Sequence, residues 1–349
     1  MPFPSKLQLP IEQWPKEDRT RWDDAFREGD IFDDDTRGTH LSEATRKALR
    51  VAYAQYLRFL SNDQPDLLAK PPEVRLDRKL LSEYVKLLRK THRDISVATS
   101  LHHLRLALRL ICPKEDWSWL LAITKRISAA APTKAKKYGQ VTSAELYLLG
   151  LKLMDEADAE TNDQNEISKA SALKYRDGLL IGLLSLVTPR RRTATAMRIG
   201  KQLIKSGDFW ALAIPPEDVK GRCPLDFALS PQFCERIDLY LLKYRPRIPG
   251  AKNHNSLWPS NKGGPMTANA IYDTVCKRTR KAFGFAVSPH RFRHAAGALW
   301  SIEDPKNVRG IKDLFGHASY DKTTEPHYLN AQTRVAGREL ARAIDAATK

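Results

Sequence analysis

The stretch "SPHRFRH", residues 288–294, sets two histidines and two arginines side by side. Ser288 has the side chain of a helix N-cap, and Pro289 suits a first helical turn, where a missing N–H costs nothing. A helix that starts there carries His290, Arg293 and His294 at i, i+3 and i+4 on one face, with Arg291 and Phe292 pointing elsewhere. Taken alone, the pattern also fits a solvated basic helix end. Three further groups share this half of the chain. Arg190 follows Thr188 and Pro189, Lys220 falls in "EDVKGRC", and "LFGHASYDKTTEPHY" holds His317 and, eleven residues on, Tyr328. Two arginines, histidines, a lysine and a tyrosine, with no carboxylate cluster for a metal, suit metal-free phosphoryl transfer. Attack on a phosphodiester builds charge on the non-bridging oxygens, and arginine's planar, permanently charged fork matches two of them. A phenol can form a covalent phosphoester, and a lysine or histidine can give the leaving oxygen its proton.

The elements that must position these groups can be read from periodicity. "ALKYRDGLLIGLLSLV" is an apolar helix fit for the centre of a core, and it delivers the chain to "TPRRRTATAMRIG". "DFWALAIP" and "PLDFALS" are short β-prone runs on either side of Lys220, the mark of a hairpin. "AELYLLGLKLMDEA" and "PQFCERIDLYLLKYRPRI" read as helices, so this half is mixed, mostly α with a small antiparallel sheet. Ahead of it, from Leu41 to about Ala130, the patterns are helical throughout. Ser42 caps a run that presents Leu49, Ala52, Tyr53, Tyr56 and Leu60. Val97, Leu101, Leu104, Leu108 and Ile111 form a second stripe, ended by Pro113. His102 and His103 lie beside that stripe and read as ordinary histidines at the core edge. The predicted organisation is an arm over residues 1–40, poorly ordered or loosely docked, a helical domain over 41–130, a linker over 131–142 and a second domain over 143–349.

Charge narrows the partners. The 349 residues carry a formal +17, unevenly spread: residues 1–40 hold 6 basic and 10 acidic side chains, whereas 41–140 hold 20 and 9. The remainder is again strongly basic. Such a surface draws polyanions by Coulomb attraction and by counterion release from phosphate. Lys134, Lys136 and Lys137 make the linker basic too, as a protein encircling a duplex would need. In "CKRTRKAFG" (276–284), Lys277, Arg278 and Arg280 are candidates for phosphate contact, or else a solvated helix face. No apolar run reaches membrane-spanning length, no signal peptide is recognisable, and Cys112, Cys223, Cys234 and Cys276 have no metal-binding or disulfide spacing. A cytoplasmic protein with reduced thiols is expected.

These motifs, in this order, resemble those of the tyrosine recombinases, the phage integrase family. "SPHRFRH" looks like the family's His-x-x-Arg box, "LFGHASYDKTTEPHY" like its Leu-Gly-His…Tyr box, and "TPRRRTATAMRIG" like its first arginine box; the likeness covers about residues 41–345. It implies a helical core-binding domain followed by a mixed α/β catalytic domain. By the same likeness Arg190 and Arg293 clamp the scissile phosphate and Lys220 protonates the leaving 5′-hydroxyl. His290 assists proton transfer, His317 bonds a phosphate oxygen, and Tyr328 is the nucleophile of a 3′-phosphotyrosyl link. No metal or other cofactor is implied. The expected partners are double-stranded DNA, further copies of the chain in a tetramer on paired sites, and an accessory DNA-bending or directionality protein. Integration or excision of a mobile element is the implied task, with a type IB topoisomerase or a non-catalytic DNA-binding regulator as alternatives.

This chain departs from the family pattern in places. Met197 stands seven residues after Arg190 where the family has leucine, and Ile199 stands seven after Arg192, which keeps Arg192 open as the first arginine. Thr193 replaces a carboxylate. Phe315 replaces the leucine of the triplet. Tyr320 is a rival nucleophile, three residues after His317. The tail from residue 332, with Val335, Leu340 and Ile344 to bury, either docks on a neighbouring subunit or packs on its own domain.

Overall fold

The computed structural model describes residues 8–28, 37–132, 141–160, 166–219, 224–303 and Phe315. Lys134, Lys136, Lys137, Lys220, His317, Tyr320, Tyr328 and the tail lie outside these. The chain divides into two compact units, Met1–Lys136 and Lys137–Lys349. Among the described residues no helix is long and apolar enough to cross a membrane.

The first unit is helical: α1 (Lys16–Ala25), α2 (Glu43–Asp63), the short α3 (Pro65–Leu68), α4 (Arg78–Arg89), α5 (Asp94–Ile111) and α6 (Ser118–Ala130). The predicted cap is present, Ser42 Oγ accepting the Thr45 amide of α2, and Asp77 caps α4 in the same way. α2 and α5 bury the stripes that their spacing predicts. The start of the chain corrects the expectation of a loose arm. Over residues 8–28 it is part of this core: Leu9, Trp14, Trp22 and Ala25 are buried with α2 and α5. Trp14 packs edge-on against Tyr53, with ring centroids 5.2 Å apart. Apolar burial on that scale stabilises by about 1.5–3 kcal/mol per large side chain, which outweighs the Pro- and Asp-rich composition that suggested disorder. One of those aspartates, Asp18, is itself buried, with Arg75 Nη1 at 2.6 Å and the Tyr53 hydroxyl at 2.5 Å on the same carboxylate oxygen.

The second unit starts with α7 (Ser143–Ala159), entered through a capping box between Thr142 and Glu145, and α8 (Lys169–Val187). α8 is buried on nearly every side, as its unbroken apolar run requires. Its backbone meets that of α7 directly: a Cβ on Gly178 would stand 2.6 Å from the Gly150 carbonyl oxygen. Helix α9 (Arg191–Ala196) follows, then β1 (Leu203–Ser206), β2 (Phe209–Ile214) and β3 (Leu225–Ala228), an antiparallel meander in the order β1-β2-β3. Register pairs Ser206 with Phe209 and Ile214 with Leu225. Trp210, Leu212 and Ile214 alternate inward along β2 and join the core. α10 (Pro231–Leu239) runs on through a π turn, and α11 (Ala268–Phe283) and α12 (Pro289–Glu303) complete the described part. Among the described residues the architecture is mainly α with one small antiparallel sheet, as the patterning predicts.

Candidate active site

Arg190 stands between two helices. α8 ends at Thr188, whose backbone turns left-handed, and α9 begins at Arg191. The Arg190 side chain is half-buried, and burial pushes its guanidinium below the usual arginine value. No hydrogen bond or ion pair holds that guanidinium among the described residues. Its neighbours behave differently: Arg191 is exposed over the Tyr272 ring at 5.7 Å, and Arg192 is exposed. Met197, seven residues after Arg190, is fully buried in the core. α9 is fixed from behind, where Trp258 Nε1 donates to the Ala194 carbonyl at 3.0 Å. Thr193, in the position where the family has a carboxylate, donates its hydroxyl to the Asp218 carbonyl at 2.9 Å. Asp218 lies two residues before Lys220, so this bond ties the β2–β3 connection to the Arg190 helix.

α12 begins at Pro289, where the sequence places it. The turn before it is pinned by buried Thr279 of α11, whose hydroxyl accepts the Val287 amide at 2.9 Å. On α12 the four-residue box separates by direction. Phe292 enters the core, Arg291 is exposed, Arg293 is 5% exposed, and His290 lies on the surface beside half-buried His294. The two imidazoles meet edge to face, Nε2 to Nε2 at 3.2 Å, so at most one of the facing nitrogens carries a proton.

Arg293 joins the boxes. Its Nη1 donates to the Thr188 carbonyl at 2.6 Å, two residues before Arg190. Its Nη2 donates to the Phe315 carbonyl at 3.0 Å, two residues before His317, and its guanidinium carbon lies 4.2 Å from the Phe315 ring centroid. The phenylalanine in the family's leucine position is thus fully buried and offers its ring face to a cation. The structure brings the Arg190 turn, the α12 box and Phe315 together through one side chain.

The α11 cations do not share one fate. Lys277 and Arg280 are exposed. Arg278, expected among the phosphate contacts, turns inward, with Nε and Nη2 on Asp177 Oδ2 at 2.9 and 2.8 Å. Asp177 is buried and takes Arg176 on its other oxygen, at 2.6 Å from Nη2. A carboxylate withdrawn from water demands such partners, and this demand overrides the pull of a surface position. Sequence reasoning missed this cluster and missed Thr188. The adjacent Arg176-Asp177 pair was visible, but only folding brings Arg278 onto it.

The sequence model of the phage integrase family matches residues 155–334, a little over half of the chain. The tyrosine recombinase XerD of Chlorobaculum tepidum is 30% identical over 81 residues, a match that takes in 23% of this chain and 26% of that protein. The chain therefore spans about a quarter of the length of this curated relative. Among solved structures, the XerH site-specific recombinase in a post-cleavage complex with palindromic difH substrate superposes with a TM-score of 0.57 at 14% identity. That alignment covers 87% of this chain and 81% of the other. The pre-cleavage complex of XerH with difH gives 0.56 at 16% identity, over 84% and 78%. At such identities the likeness is one of fold.

Proposed function

The chain belongs to the phage integrase family, and from that premise we propose that it is a site-specific DNA recombinase acting through a 3′-phosphotyrosyl intermediate. The Tyr328 phenol oxygen attacks the scissile phosphorus, the bond from phosphorus to the 5′-oxygen breaks, and Lys220 gives that oxygen a proton. Arg190 and Arg293 neutralise the charge that gathers on the non-bridging oxygens, His317 bonds one of them, and His290 moves the tyrosine proton. A 5′-hydroxyl from another strand then reverses the step. The energy of the first bond stays in the phosphotyrosine, so no nucleotide is consumed.

The observation that carries this reading is the Arg293 fork between the Thr188 and Phe315 carbonyls. It gathers, in space, three motifs, the first of them more than a hundred residues from the other two. The buried position of Met197 favours Arg190 over Arg192 as the first arginine, since the residue seven places on is then the one the core requires. The basic helical unit, with Lys134, Lys136 and Lys137 around its end, would bind the duplex too. XerH is bound to a palindromic substrate, which favours a paired site and a tetramer here as well. An accessory bending protein and a task in moving a mobile element complete the proposal.

The test is a covalent-adduct assay in EDTA with labelled duplex from around the protein's own gene, denatured and run on a gel. A DNA-linked band for wild type that is lost in Tyr328→Phe is the expected result. Tight, salt-sensitive binding with no band would instead describe a non-enzymatic DNA-binding regulator. Relaxation of supercoiled plasmid without strand exchange would describe a topoisomerase.

A further inference from the structure

Thr188 is the one non-glycine residue with positive φ among the described residues, at φ 41° and ψ 44°. An L-residue reaches that region against a clash of Cβ with its own backbone, and β-branching makes this worse. Such a conformation persists only where the surroundings over-determine it. The side chain is not what holds it: Thr188 is wholly buried, and its hydroxyl has no hydrogen-bond partner among the described residues. The carbonyl is held, by Arg293 Nη1 at 2.6 Å, while the same guanidinium grips the Phe315 carbonyl and lies over its ring. Pro189 comes next with φ locked by its ring, which leaves its ψ as the one free backbone torsion between Thr188 and Arg190. Beyond Arg190 the chain is pinned again, through Thr193 to the Asp218 carbonyl and through the Ala194 carbonyl to Trp258.

We propose that Thr188 is a positioning residue that aims Arg190: its left-handed turn, clamped through the carbonyl by Arg293, sets the direction in which the Arg190 guanidinium leaves the end of α8. The two arginines are then set together, one through the other. This rests on the phosphoryl-transfer reading above. A fork that must meet two phosphate oxygens tolerates little displacement, and an error of about an ångström costs on the order of 100-fold in rate.

The experiment is a double-mutant cycle read by single-turnover adduct formation. The DNA is a duplex carrying the site that the wild-type protein protects from nuclease, with a 5′-bridging sulfur at the scissile position, whose thiolate leaves without a proton and keeps slow variants measurable. Thr188→Pro locks φ at a negative value and forbids the left-handed turn; Thr188→Gly accepts the turn freely. Thermal melts confirm that each is folded, and gel shifts measure binding apart from cleavage. The expected result is a roughly tenfold loss for Pro with unchanged DNA affinity, and for Gly a rate at or above wild type. In an Arg190→Ala background, neither substitution should alter the residual rate. If Pro is as fast as wild type, or slows the Arg190→Ala protein by the same factor, Thr188 does not act through Arg190 and the inference falls alone. If wild type forms no adduct on its own protected site, the positioning role and the recombinase reading fall together.

Discussion

Arg75 in the first unit and Arg190 in the second are both arginines drawn away from water, and they differ in what answers their charge. Arg75 is buried with its own carboxylate: Asp18 sits 2.6 Å from Nη1, Tyr53 donates to the same oxygen, and Arg75 Nε donates to the Lys70 carbonyl at 2.6 Å. Arg190 is half-buried, its guanidinium is pushed down by burial, and no carboxylate faces it among the described residues. Arg278 on α11 follows Arg75, since Asp177 neutralises it. A cation that serves the fold is brought to its anion by the same folding. A cation left uncompensated at a helix junction retains its capacity for an anion that arrives later, and a phosphate matches its fork.

That contrast can be broken at either end. Arg75→Ala leaves Asp18 charged in a dry core, and urea unfolding should show a loss of about 3–5 kcal/mol in the first unit. Arg190→Ala should do the reverse, with an unfolding midpoint near wild type and a covalent-adduct rate lower by roughly 100- to 1000-fold, the usual loss for one charge-stabilising donor. If the adduct rate survives Arg190→Ala but not Arg192→Ala, the uncompensated arginine has been misassigned. A smaller effect sharpens the comparison along α11. Lys277→Ala and Arg280→Ala should each lower the slope of DNA affinity against salt by about one phosphate contact, while Arg278→Ala should change the unfolding midpoint more than that slope.

The smallest expectation is one in which both units behave alike. Burial holds the phenols of Tyr53, Tyr56 and Tyr84 in the first unit, and of Tyr175 and Tyr240 in the second, above their usual value. The fold favours the neutral form, so their contribution is complete below about pH 10 and is lost as pH climbs through the raised folded values. Urea midpoints followed by circular dichroism should hold up to about that pH and fall above it in both units. A midpoint that falls for one unit alone would mark the two cores as different in kind.

How much was legible follows from what each element depends on. α2 and α5 could be read from spacing because their burial is a property of one helix and its own face. α1 could not, because Trp14, Asp18 and Trp22 make sense only once Tyr53 and Arg75 are beside them. β1 escaped notice for a related reason. Only Leu203 of its four residues is buried, so "LIKS" has no alternation to detect, and pairing with β2 makes it a strand. In the candidate site, Arg190, His290 and Arg293 stood out by type and order. Arg278 looked like its neighbours Lys277 and Arg280, and only its distance to Asp177 separates them.

Sequence alone carried the likeness to the family, the mainly helical class with a small sheet, the basic charge, and a candidate set of residues for phosphoryl transfer. The class and the charge follow from residue type and local period, and the family and candidate roles from the resemblance of its motifs; a chain carries all of these whether or not it is folded. Tertiary structure decided which charges are spent and which are kept. It placed Asp18 on Arg75 and Asp177 on Arg278, left Arg190 uncompensated among the described residues, and set Thr188 left-handed under the grip of Arg293. The three contacts join residues far apart in the chain, and their energy depends on the desolvation that only the closed core imposes.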